Sequence, residues 1–97
     1  MNKIVCIIQH PDNRRRRNFY IATGTKEITT PFSWDECYKL LNKNRINFFV
    51  TNARKHLVVR EYIEEFEKPF AKLRSFSFKV EVVKEKIREF ENWLIQE

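Results

Sequence analysis

The 97-residue sequence predicts a small α+β fold, in which an antiparallel sheet of four or five strands packs against two helices. Two observations indicate this class: short β-branched and aromatic runs separated by turn residues, and two stretches with helical spacing of apolar residues. The expected order is β-hairpin, helix, β-hairpin, strand and C-terminal helix. We expect residues 1–97 to form a single domain with both helices on one face of the sheet.

A long-looped hairpin is predicted at the start of the chain. Lys3–His10 indicates a strand, and its five consecutive apolar residues predict that both faces are covered. Asn18–Thr23 indicates the second strand, followed by a turn at Gly24. The connecting segment, Pro11–Arg17, exceeds the two to five residues that are common in hairpins. Long loops on a rigid hairpin are typical of functional segments.

The first helix carries the strongest local pattern in the sequence. Ser33 followed three residues later by Glu36 is the spacing of a capping box. The apolar positions of the following turns lie at i, i+3, i+4 and i+7: Trp34, Cys37, Tyr38 and Leu41. We therefore expect a helix that ends near Asn44.

A second hairpin is predicted in the middle of the chain. Arg45–Thr51 and Lys55–Tyr62 have strand composition, and the intervening residues suit a turn. Residues 61–68 fit either a continued strand or a short acidic helix that Pro69 ends. The sequence leaves these two alternatives open.

The last quarter of the chain combines two periodicities. Apolar residues alternate with polar ones from about Arg74 to Val82, which favours a strand. From about Lys84 to Gln96 the spacing is helical, with Ile87, Phe90 and Leu94 expected against the sheet. The alternative is one long helix that begins at Ser77.

Composition restricts the classes of function. Lys and Arg number 19 against 13 Asp and Glu, a net charge of +6, and residues 1–50 hold 9 basic against 4 acidic residues. The single glycine excludes glycine-rich phosphate loops. Cys6 and Cys37 are too few for a disulfide framework, and no apolar run fits a signal peptide or a membrane span. We expect a soluble cytoplasmic protein with free thiols and no membrane partner.

The basic excess is concentrated in Arg14, Arg15, Arg16 and Arg17 at the tip of the first hairpin. Guanidinium groups bind phosphate with two parallel donors, and Asp12 is the only acid close in sequence. Tyr20 follows closely and could stack on an unpaired base. The run therefore predicts a site for nucleic acid or another anion, whereas the simpler interpretation is a mobile, solvated loop.

Catalytic and metal sites have weaker support. His10, Asp12 and the arginines form the one candidate catalytic cluster, and His56 would join them if the fourth strand lay beside the first. That arrangement would suit a small ribonuclease, which is a remote alternative. Cys6 and His10 lack the spacing of a metal site. We assign no catalytic residues, no metal ligands and no cofactor.

Two side chains on the C-terminal helix are candidates for a partner contact. Trp93 and Ile95 lie off the apolar stripe of that helix and suggest a possible homodimer or partner surface. The leading hypothesis is a small non-enzymatic module that binds nucleic acid, or a nucleic-acid-binding complex, through the basic hairpin tip. The alternative is a protein-interaction module, such as a phage- or mobile-element-encoded inhibitor or adaptor, that binds an acidic protein surface.

Overall fold

The computed structural model describes residues 3–52 and 56–96, which form an α+β fold with two antiparallel sheets and two helices. The five-stranded sheet contains β1 (Ile4–Gln9), β2 (Arg17–Ile21), β3 (Lys26–Thr30), β4 (Phe48–Val50) and β5 (Leu57–Val59). The three-stranded sheet contains β6 (Ile63–Glu67), β7 (Phe70–Leu73) and β8 (Lys79–Glu81). The helices are α1 (Trp34–Lys43) and α2 (Ile87–Ile95), and short 3₁₀ turns occupy Arg60–Tyr62 and Lys84–Lys86.

The first strand lies at the centre of the larger sheet, whose order is β3-β2-β1-β5-β4. Its position follows from its composition, because Val5, Cys6 and Ile7 have no exposed area and need cover on both faces. Both predicted hairpins are confirmed: β1 pairs with β2, and β4 pairs with β5. The fourth predicted strand, now β5, also pairs with β1.

Helix α1 begins as the sequence predicts. The Ser33 hydroxyl oxygen accepts a hydrogen bond from the Glu36 backbone N–H at 3.1 Å, and a Glu36 carboxylate oxygen accepts from the Ser33 N–H at 3.0 Å. Two backbone donors that the helix itself cannot satisfy are thereby satisfied. The helix ends at Asn44, whose N–H bonds back to the Leu40 carbonyl oxygen.

The two helices pack against opposite faces of the five-stranded sheet, so the prediction that they share one face is wrong. Trp34, Cys37 and Leu41 of α1 pack with Ile7 and Leu57. The other face packs against α2 and the smaller sheet through the buried residues Cys6, Val58, Leu73, Val80 and Phe90. Neighbouring strand residues point to opposite faces, so a central strand that is apolar throughout needs a layer on each side.

Several strand boundaries differ from those predicted. The extended segment over residues 74–82 is a regular strand only at β8, and the long helix from Ser77 is wrong, because the second helix starts after the 3₁₀ turn at Lys84–Lys86. Residues 61–68 are not an acidic helix: after the turn at Arg60–Tyr62 they form β6, which pairs with β7. Strand β3 was not predicted at all. The expected turn after Asn52 falls mostly on residues 53–55, outside the described residues.

Helix α2 is attached to the β4–β5 side of the sheet by polar contacts between distant segments. The Trp93 indole N–H donates to the Asn47 side-chain oxygen at 2.7 Å, and the Arg60 Nη2 donates to the Leu94 carbonyl oxygen at 2.9 Å. The Lys86 ammonium donates to the Val50 carbonyl oxygen at 3.1 Å. Neither helix in the described ranges is long and apolar enough to cross a membrane.

Candidate anion-binding site

The loop that joins β1 and β2, residues 10–16, is held by its own hydrogen bonds; we call it the arginine loop. The His10 N–H donates to the Arg16 carbonyl oxygen at 3.2 Å, and the Arg16 N–H donates to the Asn13 carbonyl oxygen at 3.1 Å. The Gln9 side-chain amide donates to both of these carbonyl oxygens, each at 3.1 Å. These hydrogen bonds connect the loop internally and join it to the end of β1.

Arg17 differs from the other three arginines, because it is only 9% exposed and acts within the protein. Its Nη1 donates to the Arg14 carbonyl oxygen at 2.7 Å and to the Arg16 carbonyl oxygen at 3.0 Å. Its guanidinium carbon lies 5.1 Å from the centre of the Trp34 ring, a cation–π distance. Arg17 thus connects the arginine loop to α1. The sequence suggested that Arg17 binds an external anion, but its guanidinium is engaged within the protein.

Arg14, Arg15 and Arg16 are exposed. Within residues 3–52 and 56–96, their guanidinium groups make no ion pair or hydrogen bond. The two ion pairs seen in these ranges lie elsewhere, between Lys68 and Glu91 and between Lys72 and Glu64. Three positive charges therefore share one short loop without a bound carboxylate, and their mutual repulsion is relieved when an anion binds.

An open groove of about 660 Å³ lies beside the arginine loop; we call it the tip groove. Its lining includes Ile8, His10, Arg14, Asn18, Tyr20 and His56. Ile8 pairs with Asn18 of β2, and the β1–β5 register of Cys6 with Val58 and Ile7 with Leu57 places His56 on the other side of Ile8. The arginine loop and one end of the sheet thus bring these side chains together.

Tyr20 lines the tip groove but is partly covered by aromatic rings. Phe76 and Phe78 meet its ring edge-on, with centroid distances of 5.4 and 4.8 Å. Burial, with a contribution from the Glu27 carboxylate on the neighbouring strand, raises the pKa of Tyr20 to about 12. The phenol is therefore neutral at physiological pH, and part of its ring is already used in packing.

Both histidines line the tip groove, as the pairing of β1 with β5 requires. The His10 Nδ1 accepts a hydrogen bond from the Asp12 backbone N–H at 3.1 Å, so the neutral ring carries its proton on Nε2. The His56 Nε2 has almost no exposed area, and its Nδ1 lies 3.3 Å from the Asn52 amide nitrogen. The two rings thus border the same groove, and the His56 Nε2 is covered by the protein.

The described part of the chain holds no group of three His, Cys, Asp or Glu residues that could hold a metal ion. Cys6 and Cys37 are buried and unbonded to each other. Burial raises the pKa of the Cys37 thiol to about 11 and raises that of Cys6 further, so both thiols stay protonated.

The two candidate partner residues on α2 occupy different environments. Trp93 packs against Phe49 and Phe90, with ring centroids 5.3 and 5.5 Å apart, so most of its ring belongs to the core. Ile95 is 79% exposed. The structure therefore leaves Ile95 accessible to a partner, whereas Trp93 mainly attaches α2 to the sheet.

Sequence reasoning did not anticipate the role of Arg17 or the groove formed by Ile8 and Asn18. The one available signal for the groove was the pairing of the first strand with the fourth, which brings His56 beside β1. Comparison of the chain with family models, curated proteins and solved structures found no match.

Proposed function

We propose that this protein is a small non-enzymatic module that binds nucleic acid through Arg14, Arg15 and Arg16. One observation carries the proposal: a hydrogen-bonded loop presents three exposed guanidiniums that make no ion pair with the described residues. Arginine recognises phosphate through paired donors, and a preorganised loop loses little conformational entropy on binding. The net charge of +6 adds a general attraction for polyanions.

The expected affinity depends strongly on salt. Neutralising three phosphates gives a slope of log affinity against log salt of about −2.7 on a duplex and about −2.1 on a single strand. These slopes correspond to a loss of roughly 40-fold and 20-fold, respectively, between 50 and 200 mM salt. The fourth arginine does not contribute, because Arg17 is bound to loop carbonyl groups.

A fluorescence anisotropy titration tests the proposal with labelled DNA and RNA at 50 mM salt. The test variant replaces Arg14, Arg15 and Arg16 with alanine, and it should lose most of the binding and nearly all of the salt dependence. The matched control, Lys39→Ala/Arg74→Ala/Arg88→Ala, removes three exposed positive charges elsewhere and should retain most of the affinity. Absence of binding by the wild type, or equal losses in both triple variants, would reject the proposal.

We further propose that the protein functions in the cytoplasm. Its two cysteines are both free and buried, which suits a reducing compartment. Intact-mass analysis of protein recovered from cells under thiol-blocking denaturing conditions should show two blocked thiols per chain. A disulfide-linked species would contradict this assignment.

A second candidate function is binding to an acidic protein surface, in the manner of an inhibitor or adaptor encoded by a phage or mobile element. The observation that favours it is an apolar pair near the arginine loop: Ile28 and Phe32 are 47% and 38% exposed. In the pairing of β3 with β2, Ile28 lies opposite Phe19. Two residues further along β3, Thr30 lies opposite Arg17, which directly follows the arginine loop. Basic and apolar side chains on adjoining surface suit a protein partner.

Affinity purification with and without nuclease separates the two functions. A stoichiometric protein partner that survives nuclease treatment and is lost in an Ile28→Ser/Phe32→Ser variant would favour the second candidate. Recovery of nucleic acid that depends on Arg14, Arg15 and Arg16 would favour the first.

A further inference from the structure

We propose that the tip groove binds an unpaired base, so that the protein prefers single-stranded nucleic acid to duplex. This inference rests on the proposed function, because it assumes that Arg14 and its neighbours contact phosphate. It adds a ligand class and a second contact surface that the arginine loop alone does not define.

Arg14 connects the two surfaces, since it belongs to the arginine loop and also lines the tip groove. A phosphate bound at Arg14 therefore places its attached nucleotide at the mouth of the groove. The groove volume, about 660 Å³, lies in the range of small-ligand sites and is open to solvent. A base that is stacked and paired inside a duplex cannot enter such a cavity, whereas an unpaired base can turn into it.

The electrostatics of the tip groove favour an anionic ligand. Among the described residues, Arg14 is the only lysine or arginine in its lining, and no carboxylate is part of that lining. The adjoining pocket, which shares Ile8 and His56, contains Glu81 beside Lys79. A bound strand should therefore occupy the arginine side of Ile8 and stop before Glu81.

The lining suits base stacking better than base-specific hydrogen bonding. Ile8 supplies an apolar contact, and the rings of His10 and Tyr20 supply flat surfaces. The nearby amides are partly engaged: the Gln9 amide nitrogen donates to loop carbonyl groups, and the Asn18 side-chain oxygen accepts from the Thr29 hydroxyl at 2.9 Å. Binding should therefore tolerate most base sequences.

The decisive comparison uses labelled oligo(dT) and oligo(U) of 12 nucleotides, and a 12-base-pair duplex, titrated with wild-type protein at one salt concentration. Stacking of one base predicts about 5- to 150-fold tighter binding of the single strands. Preference for either single strand supports the inference, and a difference between the two would show whether the ribose hydroxyl contributes. Equal affinity for single strand and duplex would overturn it.

An Ile8→Trp variant fills the tip groove while leaving the arginine loop unchanged in sequence. It should lose the single-strand preference and retain duplex affinity. The control, Phe70→Trp, enlarges an exposed side chain on β7 and should behave as the wild type. Retention of the full preference by a folded Ile8→Trp protein would also overturn the inference.

An NMR titration of the wild type with a trinucleotide keeps the test valid if Ile8→Trp does not fold. Amide shifts at Ile8, Asn18 and His56 would support groove binding, and shifts confined to Arg14–Arg16 would refute it. These outcomes are distinct from failure of the proposed function. If no nucleic acid binds at all, both proposals fail; if single strand and duplex bind equally and depend on the three arginines, only the groove inference fails.

Discussion

Replacement of Arg17 with alanine should destabilise the fold far more than replacement of any arginine in the arginine loop. Two charge-assisted hydrogen bonds to carbonyl oxygens, at 2.7 and 3.0 Å, are lost, each worth about 1.5–3 kcal/mol. The contact with Trp34 contributes about 0.5–2 kcal/mol more. The Arg17 Nε is buried without a partner among the described residues, and removing that cost returns about 1–3 kcal/mol. The net loss is about 3 kcal/mol.

Urea unfolding followed by circular dichroism measures this loss directly, and thermal unfolding should show a decrease in Tm of about 12–24 °C. Arg17→Lys keeps the charge and the aliphatic stem but has only one nitrogen to donate, so we expect an intermediate loss of about 1–2 kcal/mol. Arg16→Ala, in the same loop but exposed, should change stability by less than about 0.5 kcal/mol.

Hydrogen exchange adds a local measurement, because the Arg16 N–H bonds within the loop to the Asn13 carbonyl oxygen. In Arg17→Ala, the protection of the Arg16 amide against exchange should decrease by more than the decrease in the free energy of global unfolding explains. If Arg17→Ala and Arg16→Ala lose equal, small amounts of stability, then Arg17 does not fix the loop. The arginine loop would then not be held in place before an anion binds.

Four further predictions concern the core, the cap of the first helix, acid pH and alkaline pH. Phe90→Ala should lower the free energy of unfolding in urea by about 3–5 kcal/mol, because Phe90 is fully buried. Ile95→Ala, at an exposed position of the same helix, should lower it by under about 0.5 kcal/mol. Similar values for the two variants would contradict the position of α2. Ser33→Ala should cost about 1 kcal/mol through loss of the cap, measured in the same way, and no loss would refute the cap. Hydrogen bonds from Ser33 hold the pKa of Glu36 below its ordinary value of 4.5. The ionised carboxylate therefore stabilises the fold above pH 4.5, and this stability is lost as the pH falls through the lowered pKa. Glu36→Gln should reduce the loss of stability at acid pH, and an unchanged loss would refute the role of the carboxylate. Burial raises the pKa of Tyr20 from 10.0 to about 12, so the stability from the neutral phenol is complete below pH 10 and is lost as the pH rises through 12. Tyr20→Phe should weaken this loss of stability at alkaline pH. An identical pH profile of the variant and the wild type would contradict the prediction.

The features that the sequence predicted correctly are those encoded within a few residues. The Ser33–Glu36 spacing defines the start of α1, because both hydrogen bonds of the cap lie within one turn. The apolar run of β1 predicts burial on both faces, because a strand with no polar side has no face suited to water. Arg14, Arg15 and Arg16 are exposed and make no ion pair with the described residues, although Asp12 lies two positions before Arg14.

The features that were missed depend on pairing between distant segments. All five residues of β3 are exposed or half-buried, and only Ile28 is apolar, so the strand exists because its backbone pairs with β2. The acidic residues of β6 left a continued strand and a short helix both open, and the pairing of β6 with β7 decides for a strand. The role of Arg17 depends on the contact of its guanidinium with the Trp34 ring. These two residues are distant in the sequence, so no local pattern predicts the contact.

The two sides of the larger sheet are completed by different parts of the sequence. The cluster under α1 draws its residues from Ile4 to Tyr62, so a growing polypeptide holds everything it needs for that layer soon after Tyr62 leaves the ribosome. The opposite side needs Ala71, Val80 and Phe90, which are synthesised last. Until then Cys6 and Val58 are exposed to solvent, and the nascent chain presents an apolar surface of the kind that chaperones bind.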